Sequence, residues 1–214
     1  MTRSSRNWQS LPGNFDPLHI HRRHYPASNP WGFPDLLPQT FTLPEPLRLL
    51  SYRDSEDHTA AFCHFFLDDY RFESVWNKPD TALNRIRGFY GALTPDFSLY
   101  TDWPAIIQQW NHYRRQWLGR YWQEQGIPVI PTVNWSTPES FDWCFTGIPA
   151  NQTVALSVPD LRSQTVRQGF LAGFEAMIEA VKPLRLLIYG RLPIRTDIPC
   201  IEVLPDWVRL RKMT

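Results

Sequence analysis

The 214-residue chain has little cysteine, little net charge and no long apolar run, and each scarcity excludes a class of protein. Its three cysteines, Cys63, Cys144 and Cys200, are odd in number and far apart within apolar runs. This predicts buried, reduced thiols and argues against a disulfide framework or a zinc site. A net charge of +1 argues against a general polyanion binder, although it is compatible with local patches. No apolar run approaches the roughly 20 residues of a membrane-spanning helix.

The sequence also lacks the short motifs that fix a reaction. It contains no Walker loop, dinucleotide-binding fingerprint, nucleophile elbow or paired CxxC. It opens without a signal peptide, so the expected location is the cytoplasm. Hydrophobic residues at 43% and charged residues at 20% are typical of a globular protein with one domain. The sequence alone therefore identifies no reaction, and function has to be inferred from where polar side chains lie.

Proline and tryptophan are abundant, with 20 and 10 residues. Proline and glycine are dense in residues 1–46, which predicts an irregular amino-terminal arm. Exposed aromatic side chains cost about 25 cal/mol per Å². We therefore expect the arm to be ordered from about Ser28 and to pack on the domain, with Trp31 and Phe33 inserted. An exposed Trp31 would instead indicate an interface. The cluster HIHRRHY, residues 19–25, is interpreted as a surface patch or a solvated loop.

From residue 47 onward, apolar strands alternate with helices, which predicts one α/β domain over residues 47–214 with a mainly parallel sheet flanked by helices. A doubly wound sheet is the first architecture considered, and a small or incomplete βα barrel is the alternative. The predicted strands cover residues 47–52, 62–67, 90–93, 127–133, 153–158, 184–190 and 200–203. The predicted helices cover residues 80–89, 103–125 and 163–181, with a short one from residue 138.

Polar side chains follow three predicted strands at the points where they end. They are Asp68, Asp69, Asp96, Ser98 and Asn134. In alternating α/β folds, ligands bind at this edge of the sheet. Adjacent residues of an extended chain point to opposite faces, so one of Asp68 and Asp69 would enter the site while the other has a structural role. Oxygen-rich side chains suit Mg²⁺ or Mn²⁺, whereas the alternative is that these residues form turns and helix caps.

Arg114 falls in the apolar stripe of the predicted helix 103–125. A guanidinium on a core face needs an acceptor, and we expect Asp96 or Asp68 to provide it. The pair is either structural or an anion clamp that faces the site. His112, Arg115 and Gln116 lie on the opposite side of the helix and are predicted to form a solvated face.

Two further features of the sequence are a histidine in a strand and a pair of glycines in a helix. His64 lies within an apolar strand and is interpreted as a hydrogen-bonded core histidine, not as a ligand. Gly169 and Gly173 are one turn apart in the helix 163–181 and would let that helix lie close to the sheet.

Several segments in the same order resemble the domain-of-unknown-function family 4417 over roughly residues 28–190. They are NPWGFPDLLP, HFFLDDYRFESVW, LTPDFSLYTDWP, NHYRRQWLGRYWQEQGIPVIPTVNW, FDWCFTGIP and the late Gly-x-x-x-Met…KP…YG arrangement. The family occurs in bacteria, phages and other mobile elements, and the resemblance implies a shared fold without an established activity. Its motif residues here are Asp68, Asp69, Asp96, Ser98, Asn111, Arg114, Gly119, Trp135 and Gly147. The segment PDLRS after residue 158 departs from the Gly-containing turn expected there, which puts a ligand role for that loop in doubt.

Two functions follow from these residues. The first is a metal-assisted hydrolase of nucleic acid or a phosphorylated substrate, with Mg²⁺ as a candidate cofactor and Asp68, Asp69 and Asp96 as catalytic groups. Arg114, Ser98, Asn111, Asn134 and Trp135 would bind the substrate. The second is a non-catalytic accessory protein of a mobile element. It would bind nucleic acid or a protein partner through a surface rich in Trp and Arg.

Overall fold

The computed structural model describes residues 16–20, 22–54 and 58–204. Its strands are β1 (Arg48–Ser51), β2 (Ala61–His64), β3 (Gly91–Leu93), β4 (Val129–Ile130), β5 (Thr153–Ser157), β6 (Arg185–Tyr189) and β7 (Cys200–Val203). Its α-helices are α1 (Ser74–Asn77), α2 (Pro79–Ile86), α3 (Ala105–Glu124) and α4 (Gln164–Val181). Short 3₁₀ turns cover Asp69–Arg71 and Pro138–Ser140. The predicted parallel α/β fold is therefore confirmed.

The strands follow one another in space in the order of the chain. Strands β1 to β4 form one parallel ladder, and β5 to β7 form a second. A parallel bridge between Thr132 and Ala155 joins the two ladders, and the amide of Val133 donates to the carbonyl of Ala155 at 2.8 Å. A doubly wound sheet would reverse its strand order at a switch point. The observed order has no reversal and is that of the alternative architecture, the incomplete βα barrel.

The interior of this barrel is apolar. One side chain from each of β2 to β7 contributes to a single buried cluster, which consists of Phe62, Leu93, Ile130, Ala155, Leu187 and Val203. Rings from distant strands also meet across it: the centroids of His64 on β2 and Tyr189 on β6 are 4.8 Å apart. Alternate residues such as Cys63, Val129 and Leu186 point outward into the clusters beneath the helices. The sheet is thus curved around a packed centre, as barrels are.

Helix α3 is the best-defined outer element. It begins after Pro104 and ends before Gly126, whose positive φ of 79° terminates the helix. Pro104 is the N-cap residue, and Asp102 lies two positions before it. At Gly119 the helix lies against Thr94, the residue that follows β3, since a Cβ on Gly119 would be 2.5 Å from Cγ2 of Thr94. Glycine at this position is what allows the close approach.

The amino-terminal arm packs along the domain where it is described. Phe33 is 4% exposed, as predicted, but Trp31 is 41% exposed, so the prediction that both rings are inserted is wrong for Trp31. The amide of Leu37 donates to Oε1 of Gln123 at 2.7 Å, and Gln123 returns a bond to the carbonyl of Leu37 at 2.8 Å. Residues 1–15 lie outside the described residues, and the boundary at 46/47 stays a prediction.

The cysteine prediction is correct for two residues and wrong for the third. Cys63 and Cys144 are buried, whereas Cys200 on the outer strand β7 is exposed. Within the described ranges, no helix has the length and apolar character required to cross a membrane.

Candidate functional site

A cleft of about 920 Å³ opens at the carboxyl ends of strands β2 to β6. In βα barrels this end carries the ligand site. Aromatic rings and short polar side chains share the walls. The lining includes Phe66, Asp68, Arg71, Asp96, Ser98, Tyr100, Asn134, Trp135, Ser136, Ser157, Phe170 and Tyr189. The structure therefore brings Asp68, Asp96, Ser98, Asn134 and Trp135 of the predicted site together in one cavity.

Asp96 has the chemistry of an acid–base group. It follows β3, and its Oδ1 accepts a 2.9 Å hydrogen bond from Nδ2 of Asn134. Burial raises the pKa of Asp96 to about 6, although the charge of Arg115 and the bond from Asn134 act in the opposite direction. A carboxyl group with this pKa populates both its acid and its base form near neutral pH.

Asp68 and Asp69 diverge, as the sequence predicted. Asp68 is exposed and lines the cleft. The carboxylate of Asp69 instead accepts from the backbone amide of Ser98 at 3.1 Å and from its Oγ at 2.8 Å. Asp69 thus ties the loop after β3 to the 3₁₀ turn that follows β2, and Asp68 is left as the second carboxylate at the cleft.

The same loop is held from the other side by a hydrogen-bonded network on α3. Nδ2 of Asn111 donates to the carbonyl of Ser98 at 2.7 Å, and its Oδ1 accepts from Nη2 of Arg114 at 2.6 Å. Arg114 also pairs with Glu73 at 2.5 Å and lies 3.9 Å above the ring of Phe97. The expected acceptor, Asp96 or Asp68, was therefore wrong, because Glu73 at the start of α1 faces this side of the helix.

We expect Arg114→Leu to lower the free energy of unfolding by about 1–3 kcal/mol. The variant leaves the Glu73 carboxylate alone, but that side chain is 39% exposed, so water solvates it and the full cost of a buried orphan charge does not arise. Urea unfolding of Arg114→Leu, Glu73→Gln and the double variant measures the pair. Strictly additive effects of the two substitutions would contradict the pairing.

Trp135 forms one wall of the cleft and depends on a glycine of α4. Its Nε1 donates to the carbonyl of Gly169 at 3.3 Å, and its ring packs on Phe170 at a centroid distance of 5.5 Å. A Cβ built on Gly173 would be 2.1 Å from Nε1 of Trp135. Gly173 was expected to let the helix lie close to the sheet. The space left by its missing side chain is instead occupied by the indole ring of Trp135.

Gly173→Ala is expected to lower stability by about 1–3 kcal/mol, because the added methyl group overpacks against Trp135 and moves the cleft wall. Gly169→Ala is the matched control. A Cβ on Gly169 meets no atom within 4 Å, so this variant should gain up to about 1 kcal/mol from helix propensity. Thermal unfolding of both proteins provides the comparison. Equal effects of the two substitutions would show that Trp135 does not occupy the space above Gly173.

One face of α3 is buried, although its sequence predicted a solvated surface. His112, Arg115 and Gln116, predicted to be solvated, are each 0% exposed. The arm covers His112, whose ring lies 4.8 Å from that of Phe33, and the segment after Pro138–Ser140 accepts a hydrogen bond from Nε2 of Gln116 at the carbonyl of Thr146. Arg115 instead bonds to the carbonyls of Pro95 and Phe97 in the loop after β3. The predicted core histidine is correct, since His64 is 4% exposed and its Nδ1 accepts from the amide of Phe66.

Two carboxylates at the cleft, Asp68 and Asp96, are the residues that would hold a divalent cation. Within the part of the chain that the structure describes, no three His, Cys, Asp or Glu side chains form a metal-ligand group. Asp69 is committed to Ser98. Mg²⁺ can bind through one or two carboxylates and several water molecules, so a weak site is compatible with these residues whereas an all-protein cage is not.

Comparison with known proteins places the chain in a family. It is 44% identical to the protein "Gene 1 protein" of Mycobacterium phage D29, in an alignment covering 99% of this chain and 80% of the relative. It is also 44% identical to "Gene 1 protein" of Mycobacterium phage L5, covering 99% and 94%. No solved structure matches. Residues 25–205 match the family described as Domain of unknown function (DUF4417), and the chain therefore belongs to this family, as its phage relatives and its motifs together indicate.

Proposed function

We propose that this phage-related protein is a hydrolase whose active site is the cleft at the carboxyl ends of the barrel strands, with Asp96 as the general acid–base group. The observation that carries the proposal is the position of Asp96. It is a partly buried carboxyl group at a strand end, it lines the cleft, and burial raises its pKa to about 6. Titratable groups with shifted pKa values in clefts are typical of catalytic sites.

The walls of the cleft favour a planar substrate that carries negative charge. Trp135, Tyr189 and Phe66 line it, and the rings of Phe66 and Tyr189 stack with centroids 4.8 Å apart. Aromatic rings stack on nucleobases without strong sequence preference. Arg71 supplies a cation in the same lining, which suits a phosphate group. These features support a nucleotide or a nucleic-acid strand as the substrate class.

In such a reaction Asp96 would work in both of its forms. The ionised form accepts a proton from an attacking water molecule, and the protonated form delivers a proton to the leaving oxygen. Asn134 donates to Oδ1 of Asp96 and to the carbonyl of Phe97, so it fixes the orientation of the carboxyl group. Asp68, exposed at the same cleft, is available for a cation or for the substrate.

Turnover by the purified chain tests the proposal. We expect hydrolysis of at least one member of a panel that contains bis(p-nitrophenyl) phosphate, a single-stranded DNA, a duplex DNA, an RNA and nucleoside monophosphates. The rate should change with a midpoint near pH 6. EDTA, Mg²⁺ and Mn²⁺ arms decide whether a metal contributes. A lack of turnover in every arm, together with no thermal stabilisation by any member of the panel, would overturn the proposal.

A non-catalytic accessory role has separate support from a second surface. Trp31, Ile106 and Ile107 are 41%, 68% and 44% exposed, and all three line an apolar groove of about 640 Å³ between the arm and the start of α3. Monomeric proteins rarely leave such side chains together in water. The groove is apolar, which favours a protein partner over nucleic acid. This role predicts that Ile106→Lys weakens association with that partner while turnover in the cleft is unchanged.

A further inference from the structure

Tyr100 is an exposed aromatic side chain on an anchored part of the cleft lining. It lies in the loop between β3 and α3, lines the cleft and is 54% exposed. Its ring meets that of Trp103 edge to face at a centroid distance of 4.8 Å, and its carbonyl accepts from the amide of Trp103 at 3.1 Å. The preceding residue, Leu99, is buried. The loop backbone is therefore held in place while the tyrosine ring faces water.

Gln108 connects Tyr100 to the wall that Trp135 forms. Gln108 is 5% exposed, its Nε2 donates to the carbonyl of Trp103 at 2.8 Å, and its Oε1 accepts from Oγ of Ser136 at 2.5 Å. Trp103 closes the turn that begins at Tyr100, and Ser136 follows Trp135 in the chain. The two rings thus share one hydrogen-bonded support. A ligand that contacts both meets a preorganised surface, which reduces the entropy lost on binding.

Aromatic rings contribute to the cleft lining from several strand ends, as three packed pairs. The pairs are Tyr100 with Trp103, Trp135 with Phe170, and Phe66 with Tyr189. A single base has two faces, so it cannot stack on rings of all three pairs. Bases within a duplex have no free face, because each is stacked on its neighbours. Rings on several walls therefore suit a strand of several unpaired bases better than a mononucleotide or a duplex.

Two exposed arginines in contact with each other supply positive charge at the same cleft. Arg71 lines it, and Nε of Arg53 donates to the carbonyl of Arg71 at 2.6 Å. Asp68 is the exposed carboxylate of the lining and repels a phosphate group, so the backbone of a bound strand would pass along the arginines. Contacts of this kind make binding weaken as salt is added.

We propose that the cleft takes an unpaired DNA or RNA strand of two or more nucleotides, and that Tyr100 is a specificity-determining residue that stacks on a base beside the nucleotide at Asp96. The inference rests on the proposed function, which makes this cleft the substrate site, and it narrows the substrate to an unpaired strand. Tyrosine has only two side-chain torsions, so ordering its ring on a base costs little entropy. In this arrangement, a mononucleotide at Asp96 leaves Tyr100 uncovered.

Fluorescence anisotropy measures binding with labelled oligothymidylates and oligouridylates of two, four and eight nucleotides. EDTA is present, and recovery of the intact strand is checked. We expect the Kd to fall as the strand lengthens, and a hairpin duplex to bind more weakly than the eight-nucleotide strand. Tyr100→Ala should bind that strand about 5–150-fold more weakly, whereas Tyr100→Trp should bind it as tightly as wild type. Thymidine monophosphate, added as a competitor, should bind all three proteins equally. Equal affinity for the mononucleotide and the longest strand, or an unchanged Kd in Tyr100→Ala, would overturn the inference.

Tyr70→Ala is the matched control, because Tyr70 is 78% exposed on the neighbouring 3₁₀ turn but does not line the cleft. It should leave the Kd unchanged, and a loss equal to that of Tyr100→Ala would refute the assignment of Tyr100. Photocrosslinking of the wild-type protein to a strand that carries 5-iodouracil needs no substitution. Mass spectrometry should find the crosslink on the peptide that contains Tyr100, and crosslinks confined to peptides outside the cleft would contradict the proposal.

These measurements separate the inference from the hydrolase proposal. Binding that depends on strand length, without turnover of any substrate, would contradict the hydrolase proposal alone. Hydrolysis of bis(p-nitrophenyl) phosphate without such binding would contradict only the inference about the strand. This small substrate should be turned over by Tyr100→Ala at the wild-type rate, because it carries no second base to stack on the ring.

Discussion

Asp96→Asn is expected to reduce turnover by about 10²–10⁴-fold, the range that positioned acid–base groups contribute. The amide is close in shape to the carboxyl group and keeps an oxygen to accept the bond from Asn134. It cannot exchange a proton near neutral pH. Steady-state kinetics on the substrate identified by the panel gives the measurement, and both kcat and kcat/KM should fall together.

The stability of the same variant should move in the opposite direction above pH 6. Because burial raises the pKa of Asp96 in the folded state, its ionisation costs stability as the pH rises from about 4 to about 6. Asparagine escapes this cost, so at pH 8 the variant should be as stable as wild type or more stable, by up to about 3 kcal/mol. Loss of activity with retained stability marks a functional carboxyl group.

Asp142→Asn is the matched control, because Asp142 is exposed and does not line the cleft. It should leave turnover unchanged. Full activity in Asp96→Asn, or a large loss of stability at pH 8, would show that Asp96 is a structural residue.

Lowering the pH from 6.5 to 4 is expected to reduce the free energy of unfolding by about 3–4 kcal/mol. Burial lowers the pKa of His64 to about 4 and that of His112 to about 3. Both bind protons in the unfolded chain near pH 6.5 but stay neutral in the folded protein, so stability that is present above pH 6.5 is lost as the pH falls. The two histidines together lower the free energy of unfolding by about 6 kcal/mol over this pH range. Protonation of Asp96, whose pKa is raised in the folded state, increases it by about 2–3 kcal/mol over the same range.

Urea unfolding at a series of pH values between 7 and 4 measures the slope. His112→Gln should flatten it, because glutamine has no proton to bind. An unchanged slope in His112→Gln would mean that the pKa of His112 is the same in the folded and the unfolded protein, which contradicts the prediction.

Local patterns predicted the elements well, because each strand is a short apolar run and each long helix has recognisable ends. They did not decide between a doubly wound sheet and a barrel. That choice depends on which strands pair, and pairing is a long-range property that the period of a single segment does not contain. The contact between His64 and Tyr189 across the barrel interior is an example, because the two residues are 125 positions apart in the sequence.

The sequence predicts where the candidate site lies, but it does not predict which buried residues of α3 support that site. Placing Asp68, Asp96 and Asn134 at strand ends needed only the rule that parallel strands end together. Arg115 and His112 were missed because a helical wheel assumes one buried face and one wet face. Here the arm covers His112 through Phe33, and the loop after β3 covers Arg115, so α3 is buried on both sides.

The hydrogen bonds that hold the arm on the domain join residues that are far apart in the chain. During synthesis, the arm is therefore made before the residues to which it binds. Gln39 donates its backbone amide to the side chain of Gln152, which is 113 residues later, and Leu37 pairs with Gln123, 86 residues later. At a synthesis rate of about 5–20 residues per second, the arm is made roughly 6–23 s before the last of these partners exists. The rings of the arm meet earlier partners, since Tyr25 packs on Trp117 and Phe33 on His112. The arm therefore completes its packing in steps, and its last fastening waits until most of the chain has been made.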